Sequence, residues 1–482
     1  MTRDGTGFVA NSVANLLIGA AALGYVVIVP AIVVRRFGPA EYGTWYLAFQ
    51  IAAYVLLLDL GSQYIVTNEA ATFASDDRAP RLATAATVIQ SALAVTVVGG
   101  GIGWAALTGQ SQLSLLIMIL GLAAIPSLLA STVRAWFVGL RRAHVPAVWL
   151  IAARVASLAG LALAVISDAG LVTLTLAVAA PQLVVHVGFL MWARRPPSPW
   201  ARPDQAAFVG ICRRSVPLAL WTACAILITG VDLFVVRAVD PSEIGRYALA
   251  LPLLAVPTGV VTAAITAWMP RLARVDGAGN EAGRDLTIAA TTAMAAALSI
   301  GAIPFIAYAG DIVQLFAGAG EWGSTTSYVQ LLYLGYTLRF ILLPWTILIV
   351  VRGRQGRITW APVAEATVNV ASSVVLGLWL GASGVALGTI LGAVVGLTLN
   401  LTWAVPRTAH RGVIASDLVR AAGRAWSPLA AASSVVILAF VGADPVLRGL
   451  ATIAALGIGG WWVFGWGTRT RTLLAHFQSA QH

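Results

Sequence analysis

Apolar runs of about 20 residues follow one another from end to end of this chain, each long enough to cross roughly 30 Å of hydrocarbon as a helix. That feature removes the two or three soluble domains that 482 residues would otherwise suggest. Composition agrees: 59% of the residues are hydrophobic and 10% are charged, against about 25% charged in soluble domains. The first run has the length of a retained helix rather than of a cleaved leader. The sequence therefore predicts an all-α integral membrane protein.

Fourteen spans are expected, near 8–34, 44–66, 84–107, 113–133, 148–166 and 171–192, then 216–237, 248–268, 286–308, 327–350, 359–380 and 384–405, with a last pair near 428–443 and 449–467. The net charge of +11 comes from arginine alone, since the chain has no lysine. Alternate loops carry it: Arg78 and Arg81, then Arg134, Arg141 and Arg142, then Arg194, Arg195, Arg202, Arg213 and Arg214, and so on to Arg420 and Arg424. The opposite loops hold only Arg35, Arg36, Arg237, Arg246 and Arg448. This is a topology signal, not a nucleic-acid patch, and it puts both termini in the cytoplasm and the chain in the cytoplasmic (inner) membrane. Cys212, Cys224 and five scattered histidines have neither metal-ligand spacing nor a disulfide framework. No cofactor or metal is expected.

The chain repeats itself. VVRRFGPAEYGTWYLA at Val33–Ala48 returns 202 residues later as VVRAVDPSEIGRYALA at Val235–Ala250. A second echo, GLVTLTLAV from Gly170 and GVALGTILG from Gly384, has an offset of 214. Six spans separate the copies, so the two halves point the same way and are related by a pseudo-two-fold axis along the membrane normal, around a central cleft. The expected organisation is a six-helix lobe over 1–192, a Pro-rich cytoplasmic linker over 193–215, a second six-helix lobe over 216–405, and a helix pair with tail over 406–482.

An ionisable side chain at membrane depth costs about 2.5–3.5 kcal/mol on insertion scales, so it must face a partner or water and is a default functional candidate. Five qualify: Asp59, Arg154, Asp232, Arg339 and Glu365. Arg154 and Glu365 sit about two turns in from the cytoplasmic end of equivalent spans, with Asn369 on the same face as Glu365. They read either as a pair facing one another across the cleft or as groups that only fix packing. Asp59 and Asp232 read either as ion-coupling carboxylates or as interfacial residues near the outer surface. Asn11, Asn15 and Gly19 share one face of the first span, and Tyr46, Gln50 and Tyr54 repeat that spacing on the second. Such amides and phenols suit sugar hydroxyls on a cavity wall, or bond neighbouring helices. Gly384, Gly388, Gly392 and Gly396 form a small-residue ridge for close helix approach.

With FGPAEYGTWYL, LLLDLGSQ (Leu56–Gln63) and the weaker DPSEIGRYAL in view, the chain resembles the polysaccharide (O-antigen type) flippases of the multidrug/oligosaccharidyl-lipid/polysaccharide exporter superfamily. The resemblance implies a transporter, not an enzyme, that moves an undecaprenyl-pyrophosphate-linked oligosaccharide across the membrane by alternating access. It implies membrane lipids and a proton or sodium ion as further partners, and leaves room for association with other polysaccharide-assembly proteins. On that reading Arg154 and Arg339 meet phosphate oxygens, Asn11, Asn15, Tyr46, Gln50, Tyr54 and Asn369 line the cavity, and Asp59, Asp232 or Glu365 couples the ion. A multidrug antiporter and a peptidoglycan-precursor flippase are the neighbouring alternatives. A membrane glycan polymerase or glycosyltransferase is the alternative of another class.

Overall fold

The computed structural model describes residues 4–59, 61–72, 78–140, 142–259, 261, 280–318, 320, 322–351, 355–408 and 413–479. Among them there is helix and no strand. In chain order the helices are α1 (Asp4–Leu57), α2 (Ser62–Thr72), α3 (Arg78–Leu107), α4 (Ser111–Gly139), α5 (His144–Ile166), α6 (Leu171–Trp192) and α7 (Gln205–Val239). Then come α8 (244–259), α9 (Asn280–Ala302), α10 (Ala309–Ala317), α11 (Gly323–Phe340) and α12 (Leu343–Val351). The last are α13 (Trp360–Leu399), α14 (Val405–Thr408), α15 (Ala415–Gly423), α16 (Trp426–Phe440) and α17 (Pro445–Ser479).

Two of these are too long for one crossing. At 1.5 Å per residue, the 54 residues of α1 would run about 80 Å and the 40 of α13 about 60 Å, at least twice the hydrocarbon thickness. Each breaks at a glycine in the left-handed region, Gly38 (φ 73°) in α1 and Gly381 (φ 62°) in α13. A side chain is strained in that conformation, so glycine is what lets the chain reverse there without a loop. Eight described stretches are long and apolar enough to cross a membrane, and two bent pairs raise this to ten. Folding the two long stretches at their glycines makes twelve passes. α8 and α17 occupy the places of the remaining two expected spans, the first running toward 262–279, outside the described residues.

The residues group into two compact units, Met1–Phe234 and Val235–His482. In the first, α5 and α6 lie in contact: a Cβ on Gly160 would meet the Ala177 carbonyl oxygen at 1.9 Å, and the Ser157 hydroxyl donates to the Val178 carbonyl. At the end where its arginine-bearing loops gather, Trp136, Phe137 and Phe189 pack with Val66, Val133 and Ala83. The start of α7 belongs to this unit, because Ala207 and Ile211 bury against Ile65, Leu82 and Ala86. Arg81 binds Asp204 at 3.0 Å, and Arg214 binds the buried Glu69.

In the second unit the two arms of α13 close on the expected glycine ridge. A Cβ on Gly384, Gly388, Gly392 or Gly396 would meet Leu376 O at 2.0 Å, Ser373 N at 2.4 Å, Asn369 Cβ at 2.7 Å or Glu365 Oε2 at 2.2 Å. The ridge thus brings Glu365 and Asn369 against a facing backbone. Near the unit's end, Asp417 on α15 accepts from Arg284 (2.9 Å) and Arg420 (2.8 Å).

Candidate functional site

In each unit a buried polar cluster gathers on the repeat-related pair of spans, α5 and α6 in the first and the two arms of α13 in the second. In the first unit α1, α5 and α6 build it. Arg154 on α5 lays its guanidinium 4.3 Å from the centre of the Tyr25 ring on α1. The Tyr25 hydroxyl also interacts with Ser157, one turn along α5. Gln182 and His186, four residues apart on α6, are 9% and 2% exposed, and the imidazole lies within the electrostatic reach of Arg154. His186 Nδ1 has no hydrogen-bond partner among the described residues. Among those residues, Arg154 has no carboxylate partner either. Its charge is met by an aromatic face and neutral polar groups, an arrangement that tolerates a cation and leaves guanidinium donors for an anion.

In the second unit the arginine comes from a different element. Arg339 sits in the last turn of α11, next to the 41° bend between α11 and α12. Its Nε donates to Glu365 Oε1 at 2.7 Å. Its Nη2 donates to Asn369 Oδ1 at 3.0 Å and to the Thr389 carbonyl at 3.3 Å. Glu365 and Asn369 reach it together because residues four apart share a helix face. The pair is 10% and 12% exposed. Among the described residues, Arg339 Nη1 and Asn369 Nδ2 are buried without hydrogen-bond partners, so two donors of this neutralised cluster find no acceptor there.

Inside its own unit Glu365 is engaged by Arg339; the sequence reading had kept open both a pair with Arg154 and a group that only fixes packing. The depth argument carried no information on which neighbour a carboxylate meets. Asp59 is placed differently as well. It lies in the break between α1 and α2, its carboxylate facing the Gly61 N–H at 3.4 Å. About 20 residues, roughly 30 Å of helix, separate it from the Gly38 turn, so it lies at the far end of its span from that turn. Asp232 is 3% exposed.

Tyr46 packs in an aromatic cluster with Tyr42, Trp45 and Phe49, and Tyr54 stacks on Phe234 at 6.1 Å. Gln50 is half-buried on the same helix. The side chains of Asn11 and Asn15 lie outside the described residues. The sequence reading passed over Tyr25, Ser157, Gln182 and His186. Gln182 and His186 carried a signal, two polar residues one turn apart in an otherwise apolar span. Tyr25 carried none.

A family model described as polysaccharide biosynthesis protein matches residues 8–276, more than half of the chain. No curated protein matches the sequence. Solved structures match the fold. The lipid II flippase MurJ in an inward closed conformation is 14% identical with a TM-score of 0.69, covering 97% of this chain and 100% of its own. A MATE transporter in a straight conformation is 15% identical with a TM-score of 0.60, covering 86% of this chain and 96% of its own. A MOP superfamily transporter from Pyrococcus furiosus, described by a binding pocket of reverse polarity, is 14% identical with a TM-score of 0.61, covering 84% and 96%.

Proposed function

The chain belongs to the polysaccharide biosynthesis protein family, whose fold here is that of the MurJ and MATE transporters, and we propose that it is a flippase for a lipid-linked oligosaccharide. Its substrate is a sugar chain on undecaprenyl pyrophosphate, carried by alternating access across the cytoplasmic membrane, with both termini inside, for cell-surface polysaccharide. The observation that supports this best is Arg154, a membrane-depth cation with no carboxylate partner among the described residues. An unneutralised guanidinium in low dielectric attracts a pyrophosphate oxygen and pairs with it in a fork. Arg339 contributes through Nη1, with Asn369 Nδ2 beside it. Tyr46, Gln50, Tyr54, Asn11 and Asn15 serve the sugar. Asp59, Asp232 or Glu365 takes up the coupling proton or sodium ion.

One of the carboxylates that an exporter of organic cations could use, Glu365, is held by Arg339 at 2.7 Å. That weighs against the multidrug antiporter. The second reading is a flippase for a peptidoglycan precursor, favoured by the end-to-end coverage with MurJ, where the MATE structure leaves part of the chain unmatched.

The experiment is complementation of a strain lacking this chain. Arg154→Gln, inserted at the wild-type level, is expected to lose surface polysaccharide while lipid-linked repeat units accumulate on the cytoplasmic side. Normal export by both Arg154→Gln and Arg339→Gln would remove the cationic-floor reading. Accumulation of lipid-linked peptidoglycan precursor instead would select the second reading, and export that persists after collapse of the ion gradients would remove the coupling role of the carboxylates.

A further inference from the structure

The segment that follows α6 closes one end of a groove that the transport reading does not use. Its backbone is fixed to the neighbouring helices: Trp136 Nε1 on α4 donates to the Pro197 carbonyl at 3.2 Å, and the Ala201 N–H donates to Thr84 Oγ1 on α3 at 3.1 Å. Trp200 packs onto the cluster of Trp136 and Phe189. Beside this shelf a cavity of about 700 Å³ opens between α3, α4 and α6. Arg194, Ser198 and Trp200 line its polar end, and Leu129 on α4 with Val187 and Met191 on α6 line its walls. The polar end is made of donors. The exposed Arg194 guanidinium, with five N–H groups, has no acceptor among the described residues. Ser198 Oγ accepts the Trp200 backbone N–H at 3.2 Å and keeps its own proton for donation, and the indole of Trp200 is a donor only. No carboxylate among the described residues lines the cavity. The one acid of the segment, Asp204, is held by Arg81 at 3.0 Å.

The walls say what kind of anion fits. Val184, Val187 and Met191 share one face of α6 and are 68%, 38% and 62% exposed. Leu115, Leu122 and Leu129 are seven residues apart on α4, and the first two are 38% and 52% exposed. At 1.5 Å per residue the α4 track runs about 21 Å, more than the roughly 15 Å depth of one hydrocarbon leaflet. Both helices are long and apolar enough to cross a membrane, so these tracks lie against hydrocarbon. Arg194 stands just past the last turn of α6, with Trp192 and Trp200 near it in the chain, where interfacial indoles collect. A soluble anion would meet the donors and leave the tracks unused. A zwitterionic lipid would bring a second cation to the arginine. Basic pockets between membrane helices suit anionic headgroups.

We propose that this groove holds one anionic glycerophospholipid, its phosphate on Arg194 and Ser198 and an acyl chain along the tracks of α4 and α6. The site shares no residue with the Arg154 cluster and does not depend on the transport reading.

The test uses the full chain in nanodiscs of phosphatidylcholine containing a phosphatidylglycerol probe with a photoreactive diazirine in its acyl chain, and crosslinked peptides are mapped by mass spectrometry. Labelling is expected on the α4 and α6 peptides that hold Leu122, Leu129 and Met191. Unlabelled phosphatidylglycerol should compete it away, and inorganic phosphate should not. Arg194→Gln, at an exposed side chain that strands no partner, is expected to weaken the apparent affinity of the probe by about tenfold, the loss of one charge-assisted contact. Arg424→Gln, at an exposed arginine of the second unit, is expected to leave it unchanged. Undiminished labelling in Arg194→Gln or an equal loss in Arg424→Gln would overturn the proposal. So would competition by inorganic phosphate, or a polyprenyl phosphate displacing the probe better than phosphatidylglycerol does.

Discussion

Each unit places an arginine at membrane depth, Arg154 on α5 and Arg339 on α11, and the two treat its charge in opposite ways. In the second, Arg339 is neutralised by Glu365 at 2.7 Å and anchored by Asn369 and the Thr389 carbonyl. In the first, Arg154 rests on the Tyr25 ring beside Gln182 and His186 and has no carboxylate among the described residues. A buried charge with its counter-ion serves mainly to hold structure, and breaking it strands the partner. A charge met only by an aromatic face and neutral dipoles is held less firmly and remains able to bind an anion. The comparison teaches that what an arginine does at membrane depth is set by the groups that meet its charge.

The largest effect is therefore expected on stability in the second unit. Arg339→Ala leaves Glu365 uncompensated, a change that costs about 3–5 kcal/mol for buried pairs. Thermal unfolding of the purified protein should show a large drop in Tm. The double variant Arg339→Met with Glu365→Leu, which removes both charges, should recover most of it. A double variant as unstable as the single one would show that the pair is not what holds these helices. In the first unit, Arg154→Gln should move Tm little and transport greatly, by about tenfold or more if one charge-assisted phosphate contact is lost. Equal stability losses in the two units would break the contrast.

The second contrast lies in the turns. In the first unit Gly38 reverses α1 inside the repeated motif, and Arg36 of that motif reaches the Val165 carbonyl and the Asp168 carboxylate at the α5–α6 turn. In the second unit Asp240 stands at the position of Gly38, and Gly381 at the turn within α13 lies against it. A Cβ on Gly381 would come within 2.8 Å of Asp240 Oδ2, on a backbone at φ 62°. Gly381→Ala should cost about 1–3 kcal/mol from strain and contact together. Asp168→Asn, at a carboxylate 99% exposed, should cost under about 1 kcal/mol. Chemical denaturation of the two variants orders them.

Much of the fold was legible in these residues because period and length carry it. The apolar runs gave the spans, and the repeated Pro-x-Glu-x-Gly marked where one span turns into the next. The spacing of Gly384, Gly388, Gly392 and Gly396 showed which helix face closes on its neighbour. The candidate site was legible only as a set of residues. Depth singles out Arg154, Arg339 and Glu365, since a charge in hydrocarbon is costly wherever it sits. Which of them pair is decided by helix rotation and by the bend after Phe340, and a linear pattern does not encode either. The groove at Arg194 was hidden for the same reason: in sequence that residue reads as a loop charge setting orientation, and only the packing of its segment across α3 and α4 brings it to Leu129 and Met191.

The smallest expected effect tests the repeat itself. Glu41 and Glu243 hold the same place in the two copies. Glu41 is exposed, while Glu243 accepts from Ser324 (2.7 Å), Tyr328 (2.9 Å) and Arg246. Burial alone would raise the Glu243 pKa, but these three donors outweigh it and hold the carboxyl below the usual glutamate value. A carboxyl whose folded pKa is depressed binds its proton less readily when folded. Its contribution is therefore complete above the unfolded value of about 4.3 and is lost as pH falls through the lower folded value. Because the group is only partly buried, solvent screening keeps the size modest, under about 1 kcal/mol. Glu243→Gln should therefore lower Tm slightly at pH 7 and converge on wild type at the acid end. Glu41→Gln, at an exposed side chain, should change Tm at pH 7 less than Glu243→Gln does. If the two glutamines shift the curve equally, the shared motif and not the three donors of the second copy sets the behaviour of this carboxylate.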